Sequence, residues 1–122
     1  MPAWVTSMRV TTDLWVSALV RRVFADGGFA VVVRRGATEA GAVMVLSRNR
    51  LGEVALFGPA PQTMYDTAKP DERLFDRLEP VADPDALEKR IEKESRFDPD
   101  IWIVEIEAGS VPVEELIALR TP

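Results

Sequence analysis

The chain has 122 residues, 47% apolar and 29% charged, which fits one globular domain over 1–122 and excludes collagen, coiled coil and long disorder. It has no cysteine and no histidine, which excludes disulfides, thiolate metal sites, thiol nucleophiles and the usual general base. Net charge is −5, split as +3 over residues 1–60 (seven basic, four acidic) and −8 over residues 61–122 (eight basic, sixteen acidic). Such a split lets two parts of one fold attract each other.

Thr11, Thr12 and Asp13 are good N-caps, and the spacing predicts a helix from Leu14 to Ala25 that stops at Gly27-Gly28. Its apolar residues cover most of the circumference. A helix of that kind is a central core helix, or it meets a second copy of the chain through residues 13–26. Phe29 to Arg35 is valine-rich and predicts a strand. Ala42 to Arg48 and Glu53 to Phe57 predict two more, linked by a connection over 36–41 and a tight turn over 49–52. Links this short predict an antiparallel meander of three neighbouring strands. Both faces of the first two strands are apolar, which predicts a sheet covered on both sides.

Gly58-Pro59-Ala60-Pro61 ends the third strand, because proline cannot donate to a ladder. A surface loop over 62–73 follows, and Leu74 to Leu78 predicts a fourth, edge-like strand. Asp83 caps a second helix that starts at Pro84 and runs to about Phe97, with a narrow apolar side of Ala86, Leu87 and Ile91. Asp98-Pro99-Asp100 breaks it. Ile101 to Glu107 alternates clearly and predicts a strand, and Pro112 to Leu119 predicts a short C-terminal helix. The expected fold is a small α+β domain. An antiparallel sheet of four to five strands packs with two to three helices, in the order α-β-β-β-(β)-α-β-α.

With neither histidine nor cysteine, chemistry would have to come from carboxylates. Glu105 and Glu107 share one face of a strand and could join Asp98 and Asp100 around a metal. A metal-dependent hydrolase is therefore one alternative, weighed against an ordinary solvated strand face. No phosphate loop and no dinucleotide fingerprint is present, and the residues call for no cofactor. Arg34, Arg35, Arg48 and Arg50 could grip phosphates as a nucleic-acid adaptor. The acidic balance, with a pI near 4.8, argues against nucleic acid.

Pro59, Pro61, Gln62 and Tyr65 form a rigid proline segment beside the single tyrosine, a pattern that suits peptide docking. Asp98, Asp100 and Trp102 form a second candidate binding corner, weighed against a core tryptophan with its N–H bonded locally, and Arg48 is a further candidate binding residue. We expect a non-catalytic protein-interaction or regulatory module with a protein partner. The first residues carry no basic start followed by an apolar run, and no stretch approaches the length of a membrane span. The expectation is thus a cytoplasmic protein with no membrane partner.

Gly41-Ala42-Val43-Met44-Val45, Gly58-Pro59-Ala60-Pro61-Gln62 and Arg96-Phe97-Asp98-Pro99-Asp100-Ile101-Trp102-Ile103-Val104-Glu105-Ile106-Glu107 resemble stretches of a family of short alphaproteobacterial proteins, a domain of unknown function. The resemblance spans nearly the whole chain. It implies a cytoplasmic, stand-alone bacterial domain and brings no activity with it.

Overall fold

A computed structural model describes residues 10–61, 73–78 and 83–120. Helix α1 spans Thr12–Ala25, and the Thr11 hydroxyl accepts from the Leu14 N–H at its start. At its end, Gly27 takes a φ of +84°, the Gly28 N–H donates to Val23 O, and the Gly27 N–H donates to Phe24 O. This is the Schellman closure that favours glycine after a helix.

The strands are β1 (Phe29–Arg34), β2 (Val43–Arg48), β3 (Val54–Pro59), β4 (Leu74–Leu78), β5 (Trp102–Glu107) and β6 (Ala118–Leu119). Helix α2 spans Pro84–Phe97 and begins at Asp83, whose carboxylate caps the Ala86 N–H. Helix α3 is one turn, Val113–Leu116. The fold is α+β, as expected, and the described residues form one strand more than expected, in a mixed sheet of order β1-β5-β2-β3-β4-β6.

Three expectations are corrected. The first two strands are not neighbours, because β5 lies between them, antiparallel to β1 and parallel to β2. β5 is apolar on its α1 face at Trp102, Val104 and Ile106 and on the other face at Ile103, and all four are buried, which suits a central position. Second, the C-terminal helix is shorter than expected. Ile117 is extended, β6 pairs in parallel with β4, and Arg120 holds Asp76 by two hydrogen bonds of 2.7 and 3.0 Å. One helical turn adds little by itself, so pairing to β4 decides the last residues. Third, the sheet is not covered on both sides along its whole width.

On one face, α1 buries Val16, Leu19 and Val23 against Val43, Val45, Phe57, Trp102, Val104 and Ile106. Trp15 stacks on Phe75 at 5.6 Å between ring centroids. On the other face, α2 buries Leu87, backed by Ile91, against Met44, Leu46, Leu56 and Ile103. Burying each such aliphatic side chain contributes about 1.5–3 kcal/mol. β1 lies outside the reach of α2, and its side chains on that face, Phe29 at 53% and Val31 at 43%, are exposed, as is Val33 at 48%, where the register with β5 shifts.

The exposed positions of α1 include Leu14, Ser17, Ala18, Arg21, Arg22 and Phe24, so its apolar girdle resolves into a buried core side and a mixed outer side. Among the described residues, no helix is long and apolar enough to cross a membrane.

Candidate functional site

The Asp98–Trp102 corner is a junction of the fold. Asp98 turns the chain by accepting the Asp100 N–H on its carboxylate and the Ile101 N–H on its carbonyl. The Asp100 carbonyl accepts the Ala37 N–H at 2.9 Å, and Arg34 donates to the Pro99 carbonyl at 2.8 Å. Trp102 is fully buried, with its indole N–H donated to Ala37 O at 2.7 Å. The Arg35 guanidinium lies 4.8 Å from the Trp102 ring centroid. Trp102 is therefore core, which removes it from the expected docking surface. Burial of so large a ring is its ordinary use, and its polar atom already has a partner. Asp100 remains exposed and Asp98 is half-buried.

Pro59 and Pro61 are exposed where β3 ends, on either side of buried Ala60, whose N–H bonds Leu74 O. Gln62 and Tyr65 lie outside the described residues. The four arginines do not form one patch. β1 runs against β2, so Arg34 and Arg35 sit at one end of the sheet and Arg48 and Arg50 at the other. Arg48 pairs with Glu105 at 3.6 Å, and Arg35 pairs with Asp13 at 3.2 Å.

The four carboxylates are also divided. Asp100 and Glu105 are five positions apart on a nearly extended chain, roughly 16 Å. Among the described residues, no three potential metal ligands come together. A titration with Mg²⁺ or Mn²⁺ is expected to leave the melting midpoint unchanged, since binding to the native state alone would raise it. A rise at millimolar metal would restore the hydrolase reading.

The structure brings together a surface that the sequence reading passed over. Phe29 and Val31 stand on β1 directly across from Glu107 and Glu105 of β5, on the face that α2 leaves open. Phe24, at the end of α1, meets Phe29 edge-on with centroids 5.6 Å apart, which extends the apolar strip. Beside Phe29 a cleft of about 710 Å³ is lined by Ser47, Arg48, Arg50, Glu107 and Glu114, among others. At the far end of β1, Arg34 has a buried Nε–H without an acceptor and no ion-pair partner among the described residues. Exposed aromatic and β-branched side chains in one strip, rimmed by charge, form a surface suited to docking.

Residues 10–112 match a family described as a protein of unknown function, DUF1491, and the chain belongs to that family. It is similar to protein Atu0922 of A. tumefaciens, known from a solution structure: identity is 42%, TM-score 0.76, over 94% of this chain and 98% of that one. It is also similar to a DUF1491 family protein of Caulobacter crescentus CB15 seen by crystallography. There identity is 34% and TM-score 0.71, over 91% of this chain and 99% of that one. An NMR structure of a DUF1491 family protein from the same organism matches at 32% identity and TM-score 0.72, over 94% of this chain and all of that one. A search of curated proteins finds no match.

Proposed function

We propose that this DUF1491 protein is a non-catalytic protein-interaction module of the bacterial cytoplasm, and that its docking surface is the half of the sheet that α2 leaves open. The observation that carries this reading is the exposure of Phe29, Val31 and Val33 in one strand, continuous with Phe24. Apolar side chains on a strand outside the helix-covered part of the sheet contribute little to the core. They gain burial when a partner lies across them. Glu107 and the Arg48–Glu105 pair edge the strip and would fix the partner's orientation more than its affinity. Pro59 and Pro61, with Gln62 and Tyr65, are a second contact region within the same proposal.

The test is affinity capture from native cell extract, run with and without nuclease, using the wild type and Val33→Asp. A stoichiometric protein that survives nuclease and is lost with Val33→Asp is the expected result. Val33 is half exposed, so its substitution should leave the melting temperature within a few degrees of wild type. Capture that disappears on nuclease treatment would replace this reading with the nucleic-acid adaptor. Capture unchanged by Val33→Asp would move the docking surface away from β1.

A further inference from the structure

We infer that the cleft beside Phe29, at the end of the sheet, is a binding site for a small free zwitterion of the amino-acid class. Arg50 would take its carboxylate, Glu107 its ammonium group and Phe29 its apolar side chain. The inference goes beyond the docking strip on β1, which it meets at Phe29 and Glu107.

The cleft measures about 710 Å³, within the range of about 300–1,000 Å³ that holds small ligands. Its place follows from the topology. β2 and β5 are parallel neighbours, so both end on the same side of the sheet. Beyond that end the two chains part. β2 turns back into β3 through residues 49–52, while β5 leads on to Val113 and Leu116 in the core on the α1 side. Diverging connections leave a crevice outside the carboxyl ends of parallel strands, and ligands of open sheets sit there.

Both walls of the cleft are held by the fold. On one side Gly28 and Gly109 stand so close that a Cβ on either would overlap the other's backbone. Ser110 secures that contact, donating its N–H and its hydroxyl to the Asp26 carbonyl at 2.9 and 3.0 Å. On the other side the Asn49 side-chain oxygen accepts the Leu51 and Glu53 N–H groups at 2.9 and 3.0 Å. Walls fixed beforehand spare a ligand the cost of ordering them.

Charge selects the ligand. Four charged side chains line the cleft, and two of them are already paired. Arg48 pairs with Glu105 at 3.6 Å, and Glu114 pairs with Arg77 at 3.1 Å. Arg50 and Glu107 are exposed and have no ion-pair partner among the described residues. A simple anion drawn to Arg50 would be repelled by Glu107, and a simple cation would meet the reverse. A molecule that carries both charges gains from both groups. The half-buried Ser47 hydroxyl, without a hydrogen-bond partner among the described residues, adds a polar contact. The exposed Phe29 ring supplies an apolar wall.

Titration of the full chain with L-leucine and with L-leucyl-L-leucine, followed by amide nitrogen–proton spectra, tests this. Gly27, Gly28, Gly52 and Gly109 line the cleft, so their amide signals report on it directly. Saturable shifts centred on these glycines are expected, and added salt should weaken the binding. Leucinamide lacks the carboxylate and N-acetyl-leucine lacks the ammonium group. Each should bind at least about fivefold more weakly than leucine. Arg50→Gln should erase the preference for leucine over leucinamide, and Glu107→Gln the preference over N-acetyl-leucine. Tighter binding of the dipeptide would support the same site, with the two charges held one peptide unit further apart. Analogues that bind as well as leucine would overturn the inference without any variant. So would shifts that do not saturate, or that centre elsewhere, with both leucine and the dipeptide. The titration involves no partner protein, so its failure leaves the β1 docking surface standing. Partner capture unchanged by Val33→Asp would leave the cleft standing in turn.

Discussion

Trp102→Ala is expected to cost about 3–5 kcal/mol of folding stability, the range for emptying a large aromatic site in a packed core. For a chain of this size that lowers the melting midpoint by about 10–20 °C. Trp102 is buried on the α1 side of β5 among Val43, Val45, Phe57 and Val104, in the middle of the main core cluster. Its ring fills the space, and its N–H satisfies Ala37 O in the connection between β1 and β2. Trp102→Phe separates the two contributions. It keeps most of the ring and removes the shorter of the two hydrogen bonds to the Ala37 carbonyl, which still accepts from the Gly41 N–H, for a cost of about 0.5–1.5 kcal/mol. Urea unfolding followed by far-UV circular dichroism measures both. Alanine and wild type unfolding at the same denaturant concentration would mean that Trp102 does not sit in the core, and the docking role read from the sequence would revive.

What the sequence discloses about the fold is local. The spans of β4 and α2 agree with the expected Leu74–Leu78 and Pro84–Phe97, and for α2 the reason is local, a proline at the helix start and a capping aspartate beside it. The order of the strands is not written that way. Residues 35–42 join β1 to β2, and a short link by itself suggests adjacent strands. Eight extended residues reach about 26 Å, while two strand spacings need only about 10 Å. The link is thus long enough to leave a place for β5. Nothing in residues 29–48 announces which strand fills it.

The candidate surface was hidden for a related reason. Apolar residues on both faces of β1 imply a strand covered twice. A helix is about 10 Å across, and a six-stranded sheet about 24 Å wide, so α2 alone cannot cover its face. The sequence contains one amphipathic helix for that face, and this arithmetic would have exposed the shortfall. Which strand goes uncovered depends on the strand order, so Phe29, Val31 and Val33 could not be singled out without it. The proline segment and the Trp102 corner drew notice through residue type, and residue type does not report burial.

Gly36→Ala and Gly52→Ala should differ sharply, although both replace a glycine in a connection between strands. Gly52 has a φ of +83° and open space where a Cβ would stand. Alanine there meets only the backbone preference, about 1–2 kcal/mol, partly offset by a less flexible unfolded chain. At Gly36 the added Cβ would overlap the Asp100 carbonyl oxygen and crowd the Ile101 backbone. Backbone cannot rotate away as a side chain can, so the 98–101 turn or the 35–42 connection must move. That movement strains the Ala37–Asp100 and Arg34–Pro99 hydrogen bonds. We expect a loss of about 3 kcal/mol, at the upper end for overpacking. Chemical unfolding of both variants gives the comparison, and equal losses would show that the turn does not press on β1. The contrast also bears on the proposed surface. Arg34 is held at the end of β1 by the same turn, so Gly36→Ala should weaken partner capture along with the fold. Gly52→Ala, on the turn between β2 and β3, should leave capture intact.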